Sequence, residues 1–465
     1  MITTKLSYIG KWFGIGLACA SFSACVVIDV EAAKQVDNQV SSKSQASVPK
    51  NIIMVVADGT GPAFTTAYRY YNDNPNTPYI ETTIFDDTLV GGSSTYPHEV
   101  SGLVTDSAAS ATALAAGVKS YNGAIGVDVN KQAVETVLHR AHKLGLKTGL
   151  AVTSHIVHAT PAAYMVANES RQNYNEIADS FYDDRINDEH LADIMLGAGW
   201  GFFMREDRNL VNEFKADGYQ YIDKYSQLAS IDSAKPVLGL FGDSGLPWAL
   251  DDKEPLRLRK LTEAAVPYLE NEDGFFLLVE ASQVDWAGHG NDISAAMAEM
   301  HDLAKTMEYL YEYVQSHPDT LVVMTADHST GGLTIGANGV YAWQPQWLKN
   351  FKASVATIAE SIIEEADKGA FVSTQFGFDL NESEVEQVNT INAQMSAREI
   401  QAVLKDIVDK RSNTGWTTSG HTGIDVQVFA FGPSSERFAG SQDNTDIAHK
   451  IFDLLNTYYK QKANK

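Results

Sequence analysis

Asn51-Ile52-Ile53-Met54-Val55-Val56-Ala57-Asp58-Gly59 is a short apolar run that stops abruptly at a carboxylate and a glycine. An unbroken run of this length and β-branched character suits a strand buried on both faces, as in a sheet covered by helices on each side. Runs of the same kind recur at Thr148 to Thr153, Pro236 to Gly242, Gly274 to Glu280, Thr320 to Ala326 and Val426 to Gly432, with helix-like stretches between them. The alternation predicts an α/β fold: a doubly wound, mostly parallel central sheet flanked by helices. Three of the runs end in ligand-type residues, namely Asp58, Glu280 and the pair Asp327-His328. Open α/β sheets collect their ligands at the carboxyl ends of strands, so these three endings are expected to meet.

Outward from this core the rhythm changes twice. Between Gly332 and Trp416 the strand-like runs give way to amphipathic stretches. Ser354 to Lys368 reads as a helix stopped by Gly369, and Ser396-Ala397-Arg398-Glu399 reads as a capping box opening a second one. We read about 334–414 as an inserted subdomain near the C-terminal third; a plain continuation of the α/β alternation is the other reading. At the N-terminus, Lys5 and Lys11 precede an apolar, small-residue run from Trp12 to Ala24, too short for a comfortable membrane span. Phe22-Ser23-Ala24-Cys25 is similar to a lipoprotein cleavage box and Ala18-Cys19-Ala20 to an ordinary signal-peptidase site. Either grammar predicts an export signal over 1–25, with a possible lipid anchor at Cys25. The expected destination is the periplasm, the outer membrane as a lipoprotein, or the outside of the cell. Residues 26–50, rich in Gln, Ser, Lys and Asn, then read as a flexible tether, and 51–465 as the catalytic domain.

Of the 465 residues 44% are hydrophobic, enough for a large core, while the formal net charge is −24. No basic stripe exists to neutralise a nucleic-acid backbone, so that class of partner is excluded. Both cysteines, Cys19 and Cys25, lie in the leader, so no disulfide can staple the fold beyond it.

The chemistry is concentrated in a few places. In Val104-Thr105-Asp106-Ser107-Ala108-Ala109-Ser110-Ala111-Thr112-Ala113, small residues follow Ser107, which places it at a tightly packed helix N-terminus. There the first-turn amides and the positive end of the dipole favour a phosphate on its oxygen; a simple N-cap formed by Asp106 or Ser107 fits the same residues. Asp285 and His289 stand one helical turn apart, Asp327-His328 follows a strand, and His421 has glycine on its N-terminal side. Mixed carboxylate and imidazole ligands suit zinc. Any one such pair is commonplace on a surface; the joint pattern is not.

Taken together, Asp58-Gly59, the string from Asp106 to Thr112, Thr160-Pro161-Ala162-Ala163 with Arg171, Glu280, Asp285 with His289, Asp327-His328 and His421 resemble the alkaline phosphatases. The resemblance runs from about Asn51 into the C-terminal region. It implies hydrolysis of small phosphate monoesters through a covalent phosphoserine at Ser107, two Zn2+ and one Mg2+, and a homodimer. It further implies that Asp285, His289 and His421 hold one zinc, that Asp58, Asp327 and His328 hold the other, and that Asp58, Thr160 and Glu280 hold the magnesium. Arg171 would clamp two phosphate oxygens with Asp106 orienting it. His158, read either as a residue packed behind the metal ligands or as a direct metal contact, and Trp286, read as packed behind them, stand where some bacterial relatives carry Asp and Lys, and the pairing is similar to Vibrio-type enzymes. They put the third metal and the retention of product in question. Rival readings are a phosphodiesterase or phosphotransferase on the same scaffold, and a non-catalytic phosphate- or zinc-binding lipoprotein. Ser107, Arg171, Thr160 and Glu280 together favour monoesters. Eight further histidines (His98, His139, His142, His155, His190, His301, His317 and His449) fit no ligand pattern, His155 being the one nearest the Thr160 segment.

Overall fold

A computed structural model describes residues 48–463. The signal segment, the Cys25 anchor and the tether up to residue 47 lie outside the described residues.

A ten-stranded sheet runs through the molecule. In chain order its strands are β1 (Asn51–Val56), β2 (Leu89–Ser94), β3 (Lys147–His155), β4 (Ile194–Ala198), β5 (Gln220–Ile222), β6 (Val237–Leu240), β7 (Phe275–Glu280), β8 (Thr320–Thr325), β9 (Val426–Phe431) and β10 (Gly440–Asp443). Across the sheet the order is β10-β2-β9-β8-β1-β7-β3-β4-β6-β5. Strand β9 is reversed, antiparallel to both β8 and β2, and the other pairings are parallel. Every residue of β1, β7 and β8 is buried, which is why their sequences show no polar alternation. Ile53 and Val55 face one core layer, Ile52, Met54 and Val56 the other. The core is thus two apolar layers separated by the sheet.

Because β1 sits between β7 and β8, the register brings Val56 opposite both Glu280 and Thr325. The loops that leave these three adjacent strands therefore start from one place. Four helices complete the floor of that place: α1 (Ser107–Ala116), α2 (Ala159–Met165), α3 (Arg257–Leu269) and α4 (Gln283–Gly290). A 24-residue helix, α5 (Ile293–Ser316), packs on α3 and α4 with one buried flank, while α1 and α2 belong to the other core layer.

Between β8 and β9 the chain leaves the sheet and forms four helices, Val355–Ser361, Lys368–Phe376, Glu382–Asn389 and α6 (Ala397–Ser412). Short pairings tie its two ends back: Thr334–Ile335 with Thr414–Gly415, and Ser329–Thr330 with His421–Thr422. The capping box of α6 is present, Ser396 accepting from Glu399 N while Glu399 accepts from Ser396 N. The helix expected to run to Lys368 instead ends at Ser361. Asp367 caps a new helix by accepting from Ala370 N, and Gly369 lies in its first turn, where the lack of a side chain lets Val385 approach. Helix α7 (Asn444–Ala463) closes the chain.

Candidate active site and metal centre

Asp58, Glu280 and the pair Asp327-His328 stand at or just past the ends of three adjacent strands. Asp58 follows β1 and is wholly buried, with both carboxylate oxygens lacking a hydrogen-bond partner. Gly59 turns the chain with φ +73, and a methyl built on it would fall 2.6 Å from Asp285 Cα. Its N–H donates to Asp327 Oδ1 (3.1 Å), which also accepts from His328 N (3.0 Å). Asp327 Oδ2 is buried without a partner. His328 Nε2 lies 3.2 Å from that oxygen and 3.4 Å from Asp58 Oδ1. Glu280, the last residue of β7, accepts from Ser154 Oγ at Oε2 (3.2 Å) and keeps Oε1 unpartnered.

Helix α4 presents Asp285 and His289 one turn apart, 3.4 Å between Oδ2 and Nε2. His289 Nδ1 donates to Ser419 O (2.6 Å) and His421 Nδ1 to Thr105 O (2.8 Å). With both Nδ1 atoms engaged as donors, both Nε2 atoms carry lone pairs, and they face each other at 3.1 Å. Two lone pairs at that separation repel unless a cation lies between them and Asp285. Thr330 Oγ1 donates to Asp285 Oδ1 and steadies it.

Ser107 begins α1, with Asp106 as the N-cap accepting from Ala109 N (3.0 Å). Asp106 therefore caps the helix, and Ser107 Oγ is left to lie 3.1 Å from His328 Nε2. The other Asp106 oxygen accepts from Gly123 N (3.0 Å) and from Arg171 Nη1 (3.1 Å). Arg171 Nη2 reaches His158 Nε2 at 3.2 Å, so the guanidinium is held from two sides. His158, just before α2, has Nδ1 buried and unpartnered, and Thr160 Oγ1 inside α2 is likewise buried and unpartnered. Trp286 stands edge-on to the His158 ring at 6.0 Å and to Trp248 at 6.4 Å.

Charge crowding sets the electrostatics. Burial, then the carboxylates of Asp327, Asp285 and Glu280, push Asp58 well above the ordinary carboxyl range. Burial also lifts Glu280 to about 7, against the hydroxyls of Ser282 and Ser154. Asp327 goes the other way: burial would raise it, but His328 and the Gly59 N–H outweigh burial and hold it at about 2. Burial, reinforced by Arg171, keeps His158 well below its usual value and hence neutral. Four buried carboxylates in one place, with free oxygens, are a sink for cations.

The residues present fit metals. Ligand atoms of Asp285, His289 and His421 lie within 4.8 Å of one another, as do those of Asp58, Asp327 and His328, and those of Asp58, His158 and Glu280. Asp58 belongs to two of these three candidate sites, and the unpartnered atoms of Asp58, Asp327, Glu280, Thr160 and His158 are where ions would sit. The candidate residues read from the sequence are therefore brought to the carboxyl-end edge of the sheet, by elements from both of its faces. His158 is closer to the centre than a packing role needs, since it shares a candidate site with Asp58 and Glu280. The supporting acceptors and donors, Ser154, Ser282, Thr330 and the carbonyls of Thr105 and Ser419, carry no signal of their own in the sequence. They act through tertiary contacts, spanning 45 residues for Thr330 and more than a hundred for the others.

The family model for alkaline phosphatase matches residues 49–457. The chain is 45% identical over 423 residues to alkaline phosphatase 3 of Bacillus subtilis, covering 90% of this chain and 91% of that one. Among solved structures it is similar to the cold-active alkaline phosphatase of a psychrophilic Shewanella, with 52% identity, a TM-score of 0.82, and coverage of 87% and 99% of the two chains. A variant of alkaline phosphatase from the Antarctic bacterium TAB5, with a histidine changed to glutamate and Mg bound in its M3 site, superposes with a TM-score of 0.66 at 25% identity over 89% and 99% of the chains. The three metal-ready carboxylate clusters around Ser107 thus sit in a chain that belongs to the alkaline phosphatase family, a phosphoric monoester hydrolase.

Proposed function

We propose that the protein cleaves phosphate monoesters by passing the phosphoryl group to Ser107 and then to water. The observation that carries this reading is the position of Ser107 Oγ, 3.1 Å from His328 Nε2 at the start of a helix and beside the Arg171 fork. Zinc would be held by Asp285, His289 and His421 and by Asp58, Asp327 and His328, and magnesium by Asp58, Glu280, Thr160 and His158. When bound, these ions supply the positive field that makes an alcohol and a water acidic enough to attack, and that stabilises a departing alkoxide. The magnesium bound in the M3 site of the TAB5 variant supports a third ion here.

The chain's own groups do the positioning. First-turn amides of α1 and the helix dipole favour the dianion beside Ser107. Arg171 presents two parallel N–H groups to two equatorial phosphate oxygens, a geometry that a lysine cannot reproduce. Asp106 and His158 fix that fork, so little ordering remains to be done on binding. Ser107 Oγ then bonds to phosphorus as the bond from phosphorus to the alcohol oxygen breaks, and the alcohol leaves with a proton. Water adds to the phosphoserine, the Oγ–phosphorus bond breaks, and inorganic phosphate is released with the hydroxyl restored.

The pairing of His158 with Trp286 supports a grouping with the Vibrio-type members, and an aromatic ring in place of a cation predicts weak retention of phosphate. Export, a Cys25 anchor and a homodimer belong to the same proposal; mass spectrometry of the mature N-terminus and sedimentation of the full chain test them. The central experiment is acid quench of the zinc-loaded protein with an aryl phosphate. A stoichiometric phosphoprotein is expected, absent in Ser107→Ala, with turnover in that variant down by at least about a thousandfold. Wild-type turnover with no phosphoprotein, or full activity in Ser107→Ala, would overturn the reading.

A further inference from the structure

Beside the site lies an exposed apolar ledge. Leu103 is 81% exposed, Val104 42% and Ile424 52%. These are three residues from two distant stretches, and the chain brings them together at the site itself. His421 Nδ1 donates to Thr105 O (2.8 Å), and a methyl built on Gly423 would lie 3.4 Å from Leu103 O and 3.5 Å from Val104 Cγ2. The ledge therefore continues directly from the His421 side of the centre, and His289, at 42% side-chain exposure, shows that this is where the centre opens to solvent.

Direction matters here. Ser107 approaches phosphorus from the His328 side, so an in-line displacement sends the departing oxygen toward the opposite group, Asp285, His289 and His421. The exposed charged side chains flanking the ledge in sequence are Glu99 and Asp425, both carboxylates. They repel a leaving group that carries a second anion, and the ledge offers such a group nothing polar to bind.

From this continuity and charge pattern, and resting on the phosphomonoesterase reading above, we infer that the site selects monoesters of uncharged, apolar alcohols, whose hydrocarbon lies on Leu103, Val104 and Ile424. A fully buried methylene would raise kcat/KM about fourfold; a ledge covers one side, so about twofold per methylene is expected.

The test is a series of primary n-alkyl phosphates from ethyl to hexyl, in which alcohol acidity hardly changes, together with a hexyl chain ending in a carboxylate. Zinc-loaded wild type is expected to show kcat/KM rising about tenfold or more from ethyl to hexyl phosphate, with the terminal carboxylate abolishing the gain. Leu103→Ser and Ile424→Ser are expected to flatten the rise, read as the hexyl-to-ethyl ratio within each variant. Asp425→Asn is expected to restore part of the loss caused by the carboxylate. A flat series in wild type, or an undiminished ratio in both serine variants, overturns the inference while leaving the phosphomonoesterase reading in place. Failure to hydrolyse any member overturns both. If the ledge is instead covered by a second copy of the chain, the serine variants will sediment as a smaller species with the hexyl-to-ethyl ratio unchanged, and the inference falls.

Discussion

Gly59 shows how much of the site hangs on one backbone position. With φ +73 it occupies the left-handed region, and its Cα hydrogen faces the Asp285 backbone at a distance no Cβ can share. It also donates to Asp327 Oδ1, so it sets the separation between groups from two of the candidate metal sites. Gly59→Ala is therefore expected to cost on the order of 2–4 kcal/mol in local strain and overpacking. The strain falls on the Asp285 helix rather than on the sheet. Metal analysis of the purified variant should show loss of at least one equivalent of zinc, and hydrolysis of an aryl phosphate should drop about a hundredfold or more. Full metal content with native activity would show that the Asp58–Asp285 spacing is not demanding. The sequence could announce such a residue only as an Asp-Gly pair ending a strand. The reason for the glycine, Asp285 lying against it, comes from 226 residues further along and is visible only in the fold.

At the scale of elements, legibility followed burial. All six apolar runs read as strands lie in the sheet, because strands covered on both faces must be apolar throughout. The four strands without such a signal have physical reasons to hide. Strand β2 contains Gly91-Gly92 and is only partly buried, β10 is Gly-Ser-Gln-Asp at the sheet edge, β5 is three residues long, and β4 is a five-residue run too short to separate from a helix segment. Their pairing is dictated by neighbours rather than by their own composition. The same holds for a buried ion cluster that local sequence does not mark. Arg257 on α3 is fully buried and meets Glu299 and Asp302 on α5, Gln283 Oε1 on α4 (2.7 Å) and the Pro247 carbonyl. Burial raises Asp302 to about 6 in spite of Arg257. Arg257→Met leaves two buried carboxylates without their cation and leaves Gln283, two residues before Asp285, held only by its bond to Leu246 O. The expected cost is about 3–5 kcal/mol, read by urea unfolding, with a weakened hold on zinc at the Asp285 group. A change under 1 kcal/mol would mean that the carboxylates simply take up protons.

Helix α6 carries a second such group. Asp409 accepts from Trp416 Nε1 (3.2 Å), and burial, reinforced by Asp292, lifts it to about 7 against the pull of Trp416 and Lys405. A carboxyl whose folded pKa is raised contributes stability that is complete below about pH 4 and is lost as pH climbs through about 7. Asp409→Asn keeps an oxygen for Trp416 and has no charge to bury. The variant is expected to be more stable than wild type at pH 8–9, by on the order of 1–3 kcal/mol, to keep only a smaller gain at pH 5, and to show none at about pH 4. An equal shift at all of these pH values would rule out titration of Asp409 as the cause.

At the scale of the whole molecule, the net charge suits the cations that the candidate groups could hold and opposes the anionic substrate. A chain with formal charge −24 has little long-range attraction for a phosphate ester, and its carboxylates Asp58, Glu280, Asp285 and Asp327 are buried against one another. Their positions span three adjacent strands and helix α4, and His421 adds the segment that returns to β9. Divalent ions in these groups would cross-link stretches from residue 58 to residue 421, work that disulfides do in many proteins and that cysteines at 19 and 25 cannot do here. Metal binding is then folding free energy as well as catalysis. An ion present at about a thousand times its dissociation constant contributes about 4 kcal/mol, so three sites contribute on the order of 10 kcal/mol. Chelation at constant pH and ionic strength should therefore remove activity and lower the melting temperature by roughly 10 °C or more in a chain of this size. Adding back zinc alone should recover most of that stability, since two of the three groups suit it, and magnesium should recover the remainder. A chelated protein that is inactive but melts where the loaded one does would show that the buried carboxylates are satisfied by protons rather than by ions. The strand ends would then hold themselves together without the metals.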